Sequence, residues 1–269
     1  MQTILITVLI SLVLAFLLGF LLGLFKKIFY VKVDPKVQAV RDVLPGANCG
    51  GCGFPGCDGF AAACAAGKAP ANGCAAGGPS TAKKVGEVLG VSVSAEAKVS
   101  VLACQGNKDC AAPRGFYNGI HNCRSAMLTV NGTKMCAFGC IGFGDCVSAC
   151  SFGALSMGDD GLPHVDYEKC TGCGICVKTC PKKLFVLYPT TTKGAVVLCS
   201  NRSEDRVNIR KNCTVGCIKC GKCTRDCKQG ALTLVNGLPV IDYTKCNNCG
   251  DCVKSCPEHV FKLFDDVAK

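Results

Sequence analysis

Residues 170–181 read CTGCGICVKTCP, a C-x2-C-x2-C-x3-C-P run. Cys170, Cys173 and Cys176 are spaced to set one thiolate on each of three corners of an iron–sulfur cubane. Cys180 lies too far round the turn to join them, and at this spacing it ligates the other cluster of a pair. Pro181 then turns the chain away. A second run is therefore required, and the chain supplies several.

The half of the chain around this run is a duplication. CAFGCIGFGDCVSACSFGALSM at 136–157 matches CTVGCIKCGKCTRDCKQGALTL at 213–234, and GLPHVDYEKCTGCGICVKTCPKKLF at 161–185 matches GLPVIDYTKCNNCGDCVKSCPEHVF at 237–261. Each copy holds two cysteine runs separated by an alternating apolar stretch such as Ala154-Leu155-Ser156-Met157. That pattern predicts a β-hairpin and two short helices around two 4Fe-4S cubanes, as in bacterial-type ferredoxins. Exchange of fourth cysteines assigns the ligands. In the second copy Cys217, Cys220 and Cys223 take Cys256, while Cys246, Cys249 and Cys252 take Cys227. In the first copy Cys170, Cys173 and Cys176 take Cys150. The last site departs from the repeat, because Phe143 stands where the second copy has Cys220. Cys136 is the expected substitute, giving Cys136, Cys140, Cys146 and Cys180; a three-iron cluster lacking that corner is the alternative. Ser151 and Lys228 replace the proline after Cys150 and Cys227, which weakens the local turn and leaves the ligand count unchanged.

Nearer the N-terminus, NCGGCGFPGC spaces Cys49, Cys52 and Cys57, with Cys74 following in ANGCAAGG. Its glycines let backbone wrap a cluster closely and aim N–H groups at its sulfurs. Taken alone, this motif suits zinc equally. Asp34-Pro35 starts a helix whose apolar side is Val37, Val40, Val43 and Leu44. A Ser80-capped helix over 79–89 faces Val85, Val88 and Leu89 inward, and 98–103 reads as a strand. Cys64 is expected to be a buried thiol. Cys104, Cys110 and Cys123 form an incomplete set that His121 or Cys199 would complete as a sixth metal site; inert structural thiols are the other reading. Cys213 is surplus in this scheme.

Residues 4–25 are apolar apart from Thr7, Ser11, Gly19 and Gly23, enough to cross a bilayer as a helix. Lys26, Lys27 and Lys32 follow the run and no Lys or Arg precedes it. A signal peptide would show a basic start and a cleavage site, and neither is present. The charge bias puts the N-terminus outside a single-pass protein of the inner (cytoplasmic) membrane, with every cysteine on the reducing cytoplasmic side. No charged residue lies within the span, so it reads as an anchor rather than an ion path. Ser11, Ala15, Gly19 and Gly23 give it one small-residue face.

The fold class expected is α+β: a transmembrane anchor over 1–27, a small α-helical 4Fe-4S domain over 28–90, a connecting segment with spare cysteines over 91–134, and two tandem ferredoxin-like units over 135–190 and 191–269. Five clusters use twenty of the 26 cysteines. A formal charge of +11 over 269 residues invites a nucleic-acid partner. Each cluster with its thiolates carries about −2, however, so five bring the holoprotein to about +1. The basic residues are also dispersed, which argues against nucleic acid. No Walker motif or G-x-G-x-x-G follows a strand, and the three histidines are isolated, so nucleotide binding and acid–base catalysis are not read here. A zinc or redox-sensing scaffold is the competing class, disfavoured by the C-x2-C-x2-C-x3-C runs.

The order of anchor, NCGGCGFPGC…C domain and ferredoxin units resembles the B subunit of the Rnf complex, the ion-translocating ferredoxin:NAD oxidoreductase, in its long form with two units. The resemblance implies reduced ferredoxin or a flavodoxin as electron donor, and membrane and flavin-bearing subunits as partners. It also implies a relay toward NAD that drives Na+ or H+ across the membrane. An iron–sulfur subunit of a hydrogenase- or quinone-linked membrane oxidoreductase is the alternative.

Overall fold

The computed structural model describes residues 2–29 and 34–267. Helix α1 (Gln2–Ile28) carries Lys26 and Lys27 in its last turn and no acidic residue in its first. Its stretch Ile4–Ile28 contains an 18-residue window of mean hydropathy 3.0, none of it buried against the rest of the chain, so it is long and apolar enough to cross a membrane. Thr7 and Ser11 do not spoil that surface: their hydroxyls donate back to the Ile4 and Val8 carbonyls at 2.9 Å each. Lys32 lies outside the described residues.

Three helices follow as one small body. α2 (Pro35–Val43) is capped by Asp34, whose carboxylate accepts from Lys36 N–H at 2.8 Å with Pro in the first turn. α3 (Gly56–Ala65) follows the first cysteine loop. α4 (Gly78–Leu89) starts earlier than the sequence suggests, and Ser80 sits inside its first turn, donating to the Gly77 carbonyl instead of capping. Val40, Leu44, Phe60, Ala61, Cys64 and Val85 form the shared core. Burying each of Val40, Phe60 and Val85 is worth about 1.5–3 kcal/mol.

The rest of the chain repeats one plan. In the first unit β1 (Lys98–Leu102) pairs antiparallel with β4 (Phe185–Pro189), Lys98 opposite Pro189. Between them come α5 (Cys123–Val130), α6 (Asp145–Ser148), the hairpin of β2 (Leu155–Met157) and β3 (Pro163–Val165), and α7 (Ile175–Thr179). In the second unit β5 (Ala195–Val197) pairs with β8 (Phe261–Leu263). Between those lie α8 (Ile209–Asn212), α9 (Lys222–Asp226), the hairpin of β6 (Leu232–Val235) and β7 (Leu238–Ile241), and α10 (Asp251–Ser255), with α11 (Phe264–Val267) last. Asn236 and Gly237 turn the second hairpin with φ of 51° and 74°, the left-handed pair that a two-residue type I′ turn requires.

Since β1 is the outer partner of β4, the stretch read as a connection over 91–134 is built into the first unit. The two units meet through their outer sheets. Val99 and Val101 pack with Val196, Leu198 and Phe264 in one buried cluster, with Tyr188 against it. One further rung extends each sheet at the same place, Ala103 N–H to the Leu184 carbonyl and Leu198 N–H to the Val260 carbonyl, at 2.7 and 2.8 Å. Those rungs deliver Cys104 and Cys199 to the seam.

Candidate metal centres

Four of the thiol groups expected from the spacing are brought together. Cys150, Cys170, Cys173 and Cys176 line one cavity, and Cys227, Cys246, Cys249 and Cys252 line its counterpart. Cys217, Cys223 and Cys256 belong to one packed cluster; burial pushes the Cys223 thiol up, and neighbouring Cys220 and Cys256 add to the rise. Near the N-terminus Cys52, Cys57 and Cys74 sit on the helical core. Burial raises the Cys74 thiol, the Gly77 N–H opposes this, and Cys52, Cys57 and Cys49 raise it further. Asn48 holds this loop against α3 by accepting from Cys57 N–H at 2.8 Å.

The fifth group corrects the sequence expectation. Cys140, Cys146 and Cys180 share a cavity with Cys123, and Cys136 is not among its lining. The reason is α5, which carries Cys123 at its first position. Asp145 clamps one end, accepting from Cys123 N–H at 2.9 Å and Arg124 N–H at 3.3 Å, a carboxylate placed at a helix N-terminus. Lys182 clamps the other end through the Asn131 carbonyl at 3.0 Å. Phe143, which vacates the ligand position, packs with Cys123, Ala126 and Ile141 under the same helix. The residue that breaks the repeat thus supports the helix that repairs it.

Cys136 stands instead with Cys104, Cys199 and Cys213 around a cavity at the seam between the units. Burial pushes Cys213 up to about 11; the Val215 N–H opposes this, and Cys104, Cys136 and Cys199 add to it. Cys213 is therefore not surplus. The set of Cys104, Cys110 and Cys123 is split, since its first and last members line different cavities. His121 completes neither and stacks on Phe143 at 5.1 Å. Cys110 lines neither cavity, and its carbonyl accepts from Thr214 N–H at 2.9 Å. Cys64 is buried, donates weakly to the Pro70 carbonyl at 3.8 Å and is pushed up to about 11, chiefly by burial.

The donor set is thiol throughout. Among the described residues no three His, Cys, Asp or Glu converge on a single-ion position. Tetrahedral zinc needs its sulfurs about 2.3 Å from one centre. A cubane instead meets each thiolate at a different iron, which suits four sulfurs ringed around a cavity. Burial pushes Cys140 and Cys146 up to about 12, so these thiols are protonated until metal displaces the proton. Donors already face several sulfurs. Cys140 N–H meets Cys104 Sγ, Cys217 N–H meets Cys199 Sγ and Val260 N–H meets Cys256 Sγ, each at 3.4 Å.

Those contacts also link one group to the next. Lys178, beside Cys176, donates to the Gly51 carbonyl in the first cysteine loop at 2.8 Å. A Cβ on Gly51 would stand 2.9 Å from the Cys173 carbonyl oxygen, so glycine is what permits that approach. Within the first unit Cys150 and Cys180 cross between neighbouring groups. Cys140 then touches Cys104 of the seam group, and Cys199 of that group touches Cys217. The series ends at Cys227, Cys246, Cys249 and Cys252, where Cys249 is exposed, as is Cys220 one group earlier.

Comparison with known proteins agrees with this chemistry. The family model FeS, an Fe-S cluster family, matches residues 44–76; a 4Fe-4S dicluster domain matches 139–184 and a 4Fe-4S binding domain 238–261. The chain is 43% identical over 232 residues to the B subunit of the Na(+)-translocating ferredoxin:NAD(+) oxidoreductase complex of Acetobacterium woodii, covering 86% of this chain and 69% of that one. It is 39% identical to the B subunit of the ion-translocating oxidoreductase complex of Methanosarcina acetivorans, covering 88% and 89%. Against the B subunit of the proton-translocating ferredoxin:NAD(+) oxidoreductase complex of Clostridium ljungdahlii it is 37% identical, covering 82% and 78%.

Proposed function

Because the chain belongs to the family of B subunits of ion-translocating oxidoreductase complexes, we propose that it is the membrane-anchored iron–sulfur wire of such a complex. It accepts electrons from reduced ferredoxin, with flavodoxin as the alternative donor, and hands them to membrane and flavin-bearing partner subunits. The observation that carries this is the unbroken succession of thiol groups, each adjoining the next, from the Cys49 loop to exposed Cys249.

Six 4Fe-4S clusters are proposed, using every cysteine except Cys64 and Cys110. The ligand sets are Cys49, Cys52, Cys57 and Cys74; Cys150, Cys170, Cys173 and Cys176; Cys123, Cys140, Cys146 and Cys180; Cys104, Cys136, Cys199 and Cys213; Cys217, Cys220, Cys223 and Cys256; and Cys227, Cys246, Cys249 and Cys252. A bound cluster supplies a site that takes up and releases one electron. The protein's part is to hold successive sites close, to leave exposed thiols only at the last two, and to set each site's surroundings.

Exposed Lys222, Arg225, Lys228, Lys245 and Lys254 lie close in sequence to the cysteines of the outermost two sites, a surface suited to an acidic donor protein. The Cys49 domain follows α1 in the chain and hands electrons on beside the membrane. Lys26 and Lys27 at the end of α1 support a cytoplasmic position for the cluster-bearing part, with α1 in the inner membrane. One relative is named for Na(+) and another for protons, and α1 carries no charged residue before Lys26. The ion path therefore belongs to the partner subunits.

The test is anaerobic purification of the full chain, analysis for iron, zinc and acid-labile sulfide, and rapid mixing with reduced ferredoxin. About 24 irons with matching sulfide are expected, and bleaching of the visible absorbance should weaken when Lys228 and Lys254 are replaced by Glu. Zinc without sulfide, or no bleaching by reduced ferredoxin, refutes the reading.

A further inference from the structure

The two ferredoxin-like units differ beside their cysteines at one position of an equivalent strand. β1 turns Val99 and Val101 toward the seam, so by alternation Ser100 faces the unit's own cysteines. Ser100 is 2% exposed and lines the cavity of Cys150, Cys170, Cys173 and Cys176. Its hydroxyl lies 3.1 Å from Cys176 Sγ. A metal-bound thiolate has no proton to give, so with iron in place the hydroxyl donates and the sulfur accepts.

The second unit has the same strand in the same place without the hydroxyl. Counted back from Cys104 and Cys199, Ser100 corresponds to Ala195, and Cys176 corresponds to Cys252. Ala195 lines the matching cavity with Cys227, Cys246, Cys249 and Cys252. It offers those sulfurs only a methyl group, and its carbonyl is occupied by the Tyr243 hydroxyl at 2.8 Å.

Resting on the cluster reading above, we propose that Ser100 raises the reduction potential of the Cys150/Cys170/Cys173/Cys176 site above that of its counterpart at Cys227/Cys246/Cys249/Cys252. Reduction adds one electron, breaks no bond and moves no proton, and the added charge is shared with the ligand sulfurs. A hydrogen bond to such a sulfur is therefore stronger in the reduced state and favours it. The site with the hydroxyl lies toward the Cys49 loop, and the site without it lies at the exposed end. The tuning thus biases electrons inward, from the second unit to the first. Ser100 touches a ligand sulfur rather than the irons, so it is a positioning residue.

The experiment is a spectroscopically monitored redox titration of the full chain, wild type against Ser100→Ala, Ser100→Thr and Ala195→Ser, with iron and sulfide measured on each. The wave that differs between variant and wild type isolates the tuned site. Ser100→Ala should make that site about tenfold harder to reduce, a shift of 59 mV for one electron. Ser100→Thr should restore the wild-type value. Ala195→Ser should move a second wave upward by a comparable amount. Full iron with no wave moved in Ser100→Ala overturns the proposal while leaving the wire intact. If Ser100→Ala loses iron, Ala195→Ser decides, and an unmoved wave there overturns it. Absence of any iron–sulfur signal in wild type would refute the wire itself.

Discussion

Replacing Cys123 and Cys136 by alanine, singly and together, separates the arrangement in the structure from the one the repeat suggests. In the structure the two cysteines line different cavities, one with Cys140, Cys146 and Cys180, the other with Cys104, Cys199 and Cys213. Each substitution therefore damages its own site. From about 24 irons, either single variant falls to about 20 if the whole cluster is lost, or about 23 if three thiolates retain a three-iron form. Sulfide distinguishes these cases, since a three-iron form keeps its four sulfides. The losses must then add in the double variant, to about 16 or about 22 irons. Had Cys136 completed the Cys140 site, the double variant would lose no more than Cys136→Ala alone. Iron and sulfide analysis of anaerobically purified protein reads the result. A double variant matching either single one refutes the placement of α5.

Three further perturbations probe the scaffold. Asp145→Ala removes two charge-assisted bonds to the start of α5; at about 1.5 kcal/mol each for partly exposed groups, it should release the Cys123 site selectively, seen as about four irons lost with the other sites intact. Gly51→Ala forces the first cysteine loop off the Cys173 carbonyl and should slow re-oxidation of the ferredoxin-like units through the Cys49 site, measured by freeze-quench spectroscopy, without changing iron content. Arg210→Met strands Glu258, whose side chain is 6% exposed and whose only ion-pair partner among the described residues is Arg210. Because Arg210 is itself largely exposed, the cost should be about 1–3 kcal/mol, read as a lower denaturant midpoint for the second unit, and an unchanged midpoint would show the pair to be inert.

What was legible in the sequence is what local spacing encodes. Cys170 to Pro181 specifies its own turn, the alternation of Ala154-Leu155-Ser156-Met157 its own hairpin strand, and Asp34-Pro35 its own helix start, because each needs only residues close to itself in sequence. The Cys123 and seam sites escaped for the opposite reason. Cys123 reaches Cys146 through a helix held at both ends by Asp145 and Lys182, contacts no spacing rule contains. A signal was present in Phe143, since an aromatic side chain at a ligand position asks which distant thiol replaces it, but Cys136 was nearer in sequence and took the assignment. Likewise β1 reads as part of a linker because its partner β4 lies at the far end of the first unit.

The seam site is where the duplication does more than repeat. Cys104 and Cys199 follow equivalent strands, and Cys136 and Cys213 open equivalent halves of the repeat, so each unit contributes one half of a four-thiol set. A single unit would carry only two of these thiols, too few to hold a cubane. This explains why Cys213 looks superfluous when the second unit is read by itself. The buried cluster of Val99, Val101, Val196, Leu198 and Phe264 presses the two halves together, and a cluster held by the proposed seam ligands would in turn tie the units to each other. On the six-cluster proposal the joint is both structural and electronic. The contact that keeps the two units from drifting apart is also the step by which the second unit's sites adjoin the first's.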